Sequence, residues 1–253
     1  SGGNTVATAS VMSDANGDWT APQQGLGDGT YLLTATATNA SGTFTDSATF
    51  TIDTVAPVLT LDTPVDGTAT TDTTPTISGT TDANQEVVVT ITDSGGNVVE
   101  VLTPIADMNG DWTVDPAALA DGAYTVSATA TDAAGNVTSA GPNDFAVDTT
   151  APALTLDEPA NVSITNDNTP TVAGTSEPGL TVTVDLQDVN GNSLGMFTAT
   201  ADVNGDWSLD LPQQSDGGYQ VVATVTDAAG NTSTAGPNVF SIDTMPPPIQ
   251  ITS

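Results

Sequence analysis

The sequence predicts an all-β chain of tandem sandwich domains, and three observations carry that expectation. Short motifs return at a fixed long spacing. The segments between them alternate apolar and polar residues with the two-residue period of strands, and no stretch has the 3.6-residue period of an amphipathic helix. Asn-Gly-Asp-Trp stands at 16–19, 109–112 and 204–207, and Asp-Gly-x-Tyr at 28–31, 121–124 and 216–219. Thr-Asp-Ala-Ala-Gly-Asn stands at 131–136 and 226–231, with Thr38-Asn39-Ala40-Ser41-Gly42 as a degenerate first copy. Asp-Thr-x-Ala-Pro starts at Asp53 and Asp148, and Asp243-Thr244-Met245-Pro246-Pro247 is its third version. From Trp112 to Trp207 is 95 residues, and from Trp19 to Trp112 is 93. The difference reads as two extra residues near Gly141–Asp144. A period of about 95 residues is too long for a solenoid unit and suits one independent sandwich of about 100.

The elements follow in order, read in the third repeat. Strand A is expected at Leu154–Asp157, B at Thr171–Gly174, C at Thr181–Leu186 and D at Leu194–Thr200. Strand E is expected at Trp207–Leu211, F at Tyr219–Thr226 and G at Val239–Ile242. Strand F alternates most clearly, with Tyr219, Val221, Ala223 and Val225 facing one way and Gln220, Thr224 and Thr226 the other. Seven short strands with turn signals every 8–12 residues or so make each unit an immunoglobulin-like β-sandwich. Tyr31, Tyr124 and Tyr219 stand just before strand F, where such sandwiches place a tyrosine corner. Trp19, Trp112 and Trp207, one per copy, read as core anchors, with sugar binding as the alternative. Asn-Gly before each Trp supplies the positive-φ pair of a two-residue hairpin.

Ser1-Gly2-Gly3-Asn4 matches Ser94-Gly95-Gly96-Asn97, so the expected division is uneven. Residues 1–53 hold the later strands of a first domain, 54–148 and 149–243 are whole domains, and 244–253 is the first strand of a following one. Tandem domains joined by such short linkers are expected to form an extended array, each partnered by its neighbours. The chain starts mid-domain, as a window cut from something longer.

Composition excludes several function classes. The 253 residues include 31 Asp and Glu, no Lys or Arg and no His, for a formal charge of −31. Every charge repels every other unless a cation intervenes, and trypsin has no place to cut. Nucleic acid and anionic membrane are excluded as partners, since both require basic residues. No apolar run reaches the roughly 18 residues of a membrane span. The chain has no cysteine and is 37 % hydrophobic in short β-forming runs, which separates it from a disordered acidic tail. Without His, Cys or Lys there is no base for a nucleophile, so an enzyme is not expected.

Sandwich topology sends loops BC, DE and FG to the end where a domain begins, and AB, CD and EF to the end where it finishes. At the second junction this gathers Asp72, Asp121 and Asp148 from below with Glu177, Asp202, Asp206, Asp227 and Asn231 from above. The first junction repeats the pattern with Asp53, Asp82, Asp107, Asp111 and Asp132, and Asp167 and Asp243 stand at the far end of the third repeat. Carboxylates converging without a basic residue call for a hard cation. Ca²⁺ suits flexible loops of Asp, Asn and Gly, whereas zinc and copper lack their preferred ligands here. Asp-x-Asn-Gly-Asp (14–18, 107–111, 202–206) also opens like an EF-hand loop, but it lacks the downstream Glu and the flanking helices, which favours a turn. Asp62, Asp66, Asp157, Asp185 and Asp210 read as solvated surface charge.

Taken in order, Asp-Thr-x-Ala-Pro, Thr-Pro-Thr-Ile-Ser-Gly-Thr (74–80), Asn-Gly-Asp-Trp, Asp-Gly-x-Tyr and Thr-Asp-Ala-Ala-Gly-Asn resemble the bacterial Ig-like repeats of giant type I-secreted RTX-type adhesins. The resemblance covers essentially the whole chain. It implies a secreted, cell-surface protein whose repeats hold distal ligand-binding domains away from the membrane, with calcium stiffening the junctions at Asp53, Asp148 and Asp243. The first copy departs by carrying Asn39 where the later ones have Asp132 and Asp227. Residues alone support a spacer. Alternatives are self-association of copies into a filament or biofilm matrix, and direct binding of glycan or ice on the Thr-rich face of strand F (Thr34, Thr36 and Thr38; Thr125, Thr129 and Thr131).

Overall fold

The computed structural model describes residues 5–22 and 25–247. Among the described residues all regular structure is strand, and no helix is long and apolar enough to cross a membrane. The first copy contributes one hairpin, β1 (Gly29–Asn39) and β2 (Gly42–Ile52). The second repeat follows with β3 (Thr68–Thr70), β4 (Ile77–Thr80), β5 (Val87–Asp93), β6 (Val98–Leu102), β7 (Asp111–Val114), β8 (Gly122–Thr131) and β9 (Val137–Val147). The third repeats this with β10 (Ser163–Thr165), β11 (Thr171–Thr175), β12 (Thr181–Asp188), β13 (Ser193–Thr200), β14 (Asp206–Asp210), β15 (Gly217–Thr226) and β16 (Thr232–Ile242). Residues 1–4, which carry the sequence match to 94–97, and residues 248–253, expected to belong to a following first strand, lie outside the described residues.

Each complete repeat is an immunoglobulin-like sandwich of a five-stranded sheet, β3-β9-β8-β5-β6 or β10-β16-β15-β12-β13, over the pair β4-β7 or β11-β14. Burial follows the alternation. β8 and β15 both read as every second residue buried, from Tyr124 to Ala130 and from Tyr219 to Val225. The two cores are separate clusters, one around Trp112 and Phe145 and one around Trp207 and Phe240.

Three expectations needed correction. The strand expected as D lies beside C at the edge of the large sheet, as β6 and β13, so the following loop crosses between sheets and is not a hairpin. Within that loop only Gly110 and Gly205 take positive φ, at 91° and 90°, and Asn109 and Asn204 do not. Strand A is reduced to isolated bridges, Leu154 to Ser176 and Glu158 to Ala173, before the chain crosses to the large sheet as the short parallel strand β10. Strand G begins at Thr232, not Val239. Gly236-Pro237 reads as a breaker, but the register shifts between Val221 and Ala223 and a bulge takes up those residues.

The two extra residues also divide differently. β1 and β2 pair without a shift from Gly29–Ile52 to Asn39–Gly42. β8 and β9 shift once, between Val126 and Ala128, and leave residues 132–136 between paired Thr131 and Val137. One extra residue therefore sits in the bulge at Gly141–Pro142, and the other is in the FG loop, where Asn136 has no counterpart in the first copy.

Trp112 and Trp207 are each 2 % exposed, as core anchors should be. Strand B makes room for them with glycine: a Cβ at Gly79 would collide with the Thr60 carbonyl and the Trp112 indole, and one at Gly174 with the Thr155 carbonyl and Trp207. The tyrosine corners form as expected. Tyr124 donates to the Ala120 carbonyl at 2.8 Å and Tyr219 to that of Ser215 at 2.9 Å, and their rings stack on Phe145 and Phe240.

Candidate functional site

Each linker runs from the end of strand G toward the next strand A; the linkers at Asp53 and Asp148 are gripped by side chains from both sides, and that at Asp243 by the preceding repeat. From the preceding repeat, the Asp of Asp-Gly-x-Tyr accepts hydrogen bonds from the linker threonines. Asp121 takes the Thr149 hydroxyl at 2.8 Å and the Thr150 hydroxyl at 3.0 Å. Asp28 takes the Thr54 amide and hydroxyl at 3.1 and 2.9 Å, and Asp216 takes those of Thr244 at 3.0 and 2.8 Å. Asp148 also returns to the sheet, its amide donating to the Thr70 carbonyl at 3.0 Å.

From the following repeat, the FG loop supplies an amide. Asn231 donates through Nδ2 to the Asp148 carbonyl at 2.8 Å, and Asn136 does the same to the Asp53 carbonyl at 3.0 Å. Each Asn is itself held by the Asp that opens its loop. Asp227 accepts the Asn231 side chain at 2.9 Å and the Asn231, Gly230 and Ala229 amides through its other oxygen. Asp132 holds Asn136 likewise, through the side chain at 2.8 Å and the amide at 2.9 Å. These loops are Asx turns in which a carboxylate takes the place of backbone acceptors.

The same bonds set the electrostatics. The Asn136 side chain holds the Asp132 carboxyl below its ordinary range, and the Asn231 side chain does so for Asp227. The hydroxyls of Thr149 and then Thr150 do it for Asp121. Charge-assisted hydrogen bonds favour the ionised form against the desolvation that opposes it.

The remaining expected ligands are placed as follows. Asp107 and Asp202 each cap their own Asp-x-Asn-Gly-Asp turn, accepting the amides of Asn109 and Asp111 at 2.7 and 3.0 Å, and of Asn204 and Asp206 at 2.8 and 3.0 Å. Backbone amides two and four residues on pull both carboxyls below the ordinary range. Asp72 and Asp167 accept the Thr74 and Thr169 amides and hydroxyls in the AB loops. Asp53, Asp148 and Asp243 cap the amides of Val55, Thr150 and Met245 within the linker. Asp82 and Glu177 close the BC turns through their carbonyls, and Asp111 and Asp206 open β7 and β14 in solvent. Among the described residues, no three of these acids come together in a group that could hold a metal ion. In this structure the junction carboxylates are engaged by amides and hydroxyls, so a calcium ion bound there would have to share or displace those partners.

Sequence reasoning overlooked Asp28, Asp216, the linker threonines and Asn136 as a set. The available signal was that Asp-Gly-x-Tyr, Asp-Thr and Gly-Asn recur in step, which is what three parts of one contact must do.

A family model described as bacterial Ig-like domain matches residues 59–149 and 158–244, and a second, bacterial Ig-like domain (group 3), matches 109–194. No curated protein sequence matches the chain. Among solved structures, a tetra-tandem repeat in the extending region of a large adhesion protein is 29 % identical, with a TM-score of 0.36. The alignment covers 92 % of this chain and 66 % of that one. A 1.5-MDa bacterial ice-binding adhesin is 23 % identical at TM-score 0.32, over 85 % of this chain and 74 % of the other. The fibronectin(III)-like modules of Clostridium thermocellum CbhA are 20 % identical at TM-score 0.42, over 73 % and 93 %.

Proposed function

The chain belongs to the bacterial Ig-like domain family, and we propose that it serves as a structural extender of a secreted, cell-surface adhesin, supporting adhesion or biofilm formation. The observation that carries this reading is the doubly held linker. Asp121 grips it from one repeat and Asn231 from the next, with Pro152 restricting the backbone just beyond. A spacer must transmit position, and a linker with both ends bonded loses the freedom that would let repeats swing. The reading is non-enzymatic, and its support is compositional: the chain has no His, Cys or Lys to act as a base for a nucleophile.

Stiffening by calcium at the junctions is the second part of the proposal. Its support is charge: 31 acids with no basic residue leave repulsion that a divalent cation would relieve. Extracellular calcium modules bind at about 10⁻⁴–10⁻³ M, but here Asp121, Asp148 and Asp227 would have to exchange their present partners. Small-angle scattering in EDTA and in millimolar calcium tests it. An unchanged maximum dimension and melting temperature would remove the calcium part and leave the hydrogen-bonded linker standing. A broad, calcium-independent distribution of dimensions would remove the extender itself.

A further inference from the structure

The second and third repeats share a fold, but they differ at one place on the outer face of the large sheet. In the second repeat a hollow of ≈ 420 Å³ beside the edge strand β3 is lined by Gly67, Ala69, Ser94 and Asp144 together with Tyr124 and Phe145. In the third, Val162 stands in place of Gly67, Ile164 of Ala69, Val189 of Ser94 and Val239 of Asp144. They are 82, 78, 64 and 40 % exposed.

These four are neighbours in space. The Val162 amide donates to the Val239 carbonyl at 2.7 Å, and Ile164 lies opposite Ser241 on the adjoining strand. Gly218 pairs with that same Ser241, and a Cβ added there would press on Val189 at 2.8 Å. Where the second repeat has a hollow, with Gly67, Ala69, Ser94 and Asp144 at these four positions, the third has an apolar knob.

Two further facts point the same way. Val162 has φ 62°, a left-handed conformation that costs a β-branched residue strain, whereas Gly67 takes φ 77° freely. With its side chain mostly in solvent, burial within the chain does not offset that strain, and such outliers collect at functional surfaces. The exchange also removes charge, since Val239 replaces Asp144 and Asn161 replaces Asp66. In a chain of −31, this is a face where one side of a contact between copies has shed its acids.

We propose that the knob on the third repeat of one copy docks into the hollow on the second repeat of another. Each copy carries one knob and one hollow, so two copies either exchange them reciprocally in a closed antiparallel pair or pass the contact on head to tail as a staggered chain. The contact is independent of the extender reading.

The absence of native cysteine makes the test direct. Ile164→Cys and Ala69→Cys chains, carrying tags of different length, are mixed at about 0.15 M salt, where screening reaches about 8 Å, and mildly oxidised. The mixed disulfide is expected to exceed either like-with-like product by at least tenfold. In parallel, the sedimentation coefficient of the unaltered chain is expected to rise with concentration, and that rise is expected to vanish in Ile164→Asp. Like-with-like products as abundant as the mixed one, a chain that stays monomeric to millimolar concentration, or association that persists in Ile164→Asp would each overturn the proposal. Melting temperatures of the variants check that these exposed substitutions leave the fold intact.

Discussion

The hairpin β1–β2 and its counterparts β8–β9 and β15–β16 carry the same motifs in different surroundings. Tyr31 donates to the Gly27 carbonyl at 2.8 Å and stacks on Phe50 at 5.6 Å, matching Tyr124 on Phe145 at 5.6 Å and Tyr219 on Phe240 at 5.7 Å. Asp14 caps its turn just as Asp107 and Asp202 cap theirs. Yet Trp19 is 49 % exposed while Trp112 and Trp207 are buried, because among the described residues no second sheet faces the first hairpin. Corner, stack and Asx turn are therefore local properties of a short segment. Burial is a property of the whole sandwich, and the core alone gives the tryptophans their energetic weight.

That contrast can be broken by substitution. The largest effect is expected from Trp112→Ala or Trp207→Ala, about 3–5 kcal/mol against the repeat concerned. Trp19→Ala should stay within about 0.5 kcal/mol, as for an exposed side chain. Hydrogen exchange followed repeat by repeat in denaturant checks this, and an equal loss at Trp19 would end the distinction. Gly79→Ala and Gly174→Ala should each cost about 1–3 kcal/mol by forcing strand B away from the Thr60 or Thr155 carbonyl and crowding the indole, read as a lowered midpoint with unchanged slope. Removing the corner hydroxyl, Tyr124→Phe or Tyr219→Phe, is expected to cost about 1 kcal/mol. Val162→Gly should recover about 1 kcal/mol in the third repeat by relieving its left-handed strain, a gain that Gly67→Ala reverses in the second.

The smallest expected effect is that of pH. Asp121, Asp132 and Asp227 have carboxyls held below the ordinary range by Thr149, Asn136 and Asn231. A depressed folded value means that their contribution is whole above the unfolded value near 4 and is lost as pH falls through the lower folded value. The linker grip should therefore persist at pH 5 and weaken below about pH 3.8. Amide exchange at Asn136 and Asn231, whose amides donate to Asp132 and Asp227, checks it, with Ser41 as the comparison, since its amide is capped by neutral Asn39 at 2.8 Å.

Much of this was legible in the sequence where the cause is local. Strands C, E and F fall within two residues of their expected bounds because alternation and flanking turns fix them. β10 was missed because three residues cannot display a period, and the early part of β16 because Gly236-Pro237 imitates a break that a bulge absorbs. Asp107 and Asp202 stand in a loop that crosses between sheets and Asp111 and Asp206 in the strands that follow it, and a carboxylate that accepts amides two and four residues on looks, as a sequence, the same as one offered to a metal. The linker's partners were hidden for another reason. Asn231 lies 83 residues from Asp148, and Asp121 lies 28 from Thr149, so only the fold brings them together.

The central claim is that the linker is held from both sides by Asp121 and Asn231. The direct measurement is the distribution of distances between two spin labels, one introduced in each complete repeat, in EDTA. A narrow distribution that broadens in the Asp121→Ala, Asn231→Ala double variant is the predicted result. An equally broad distribution in the unaltered chain, or an equally narrow one in the variant, would contradict it.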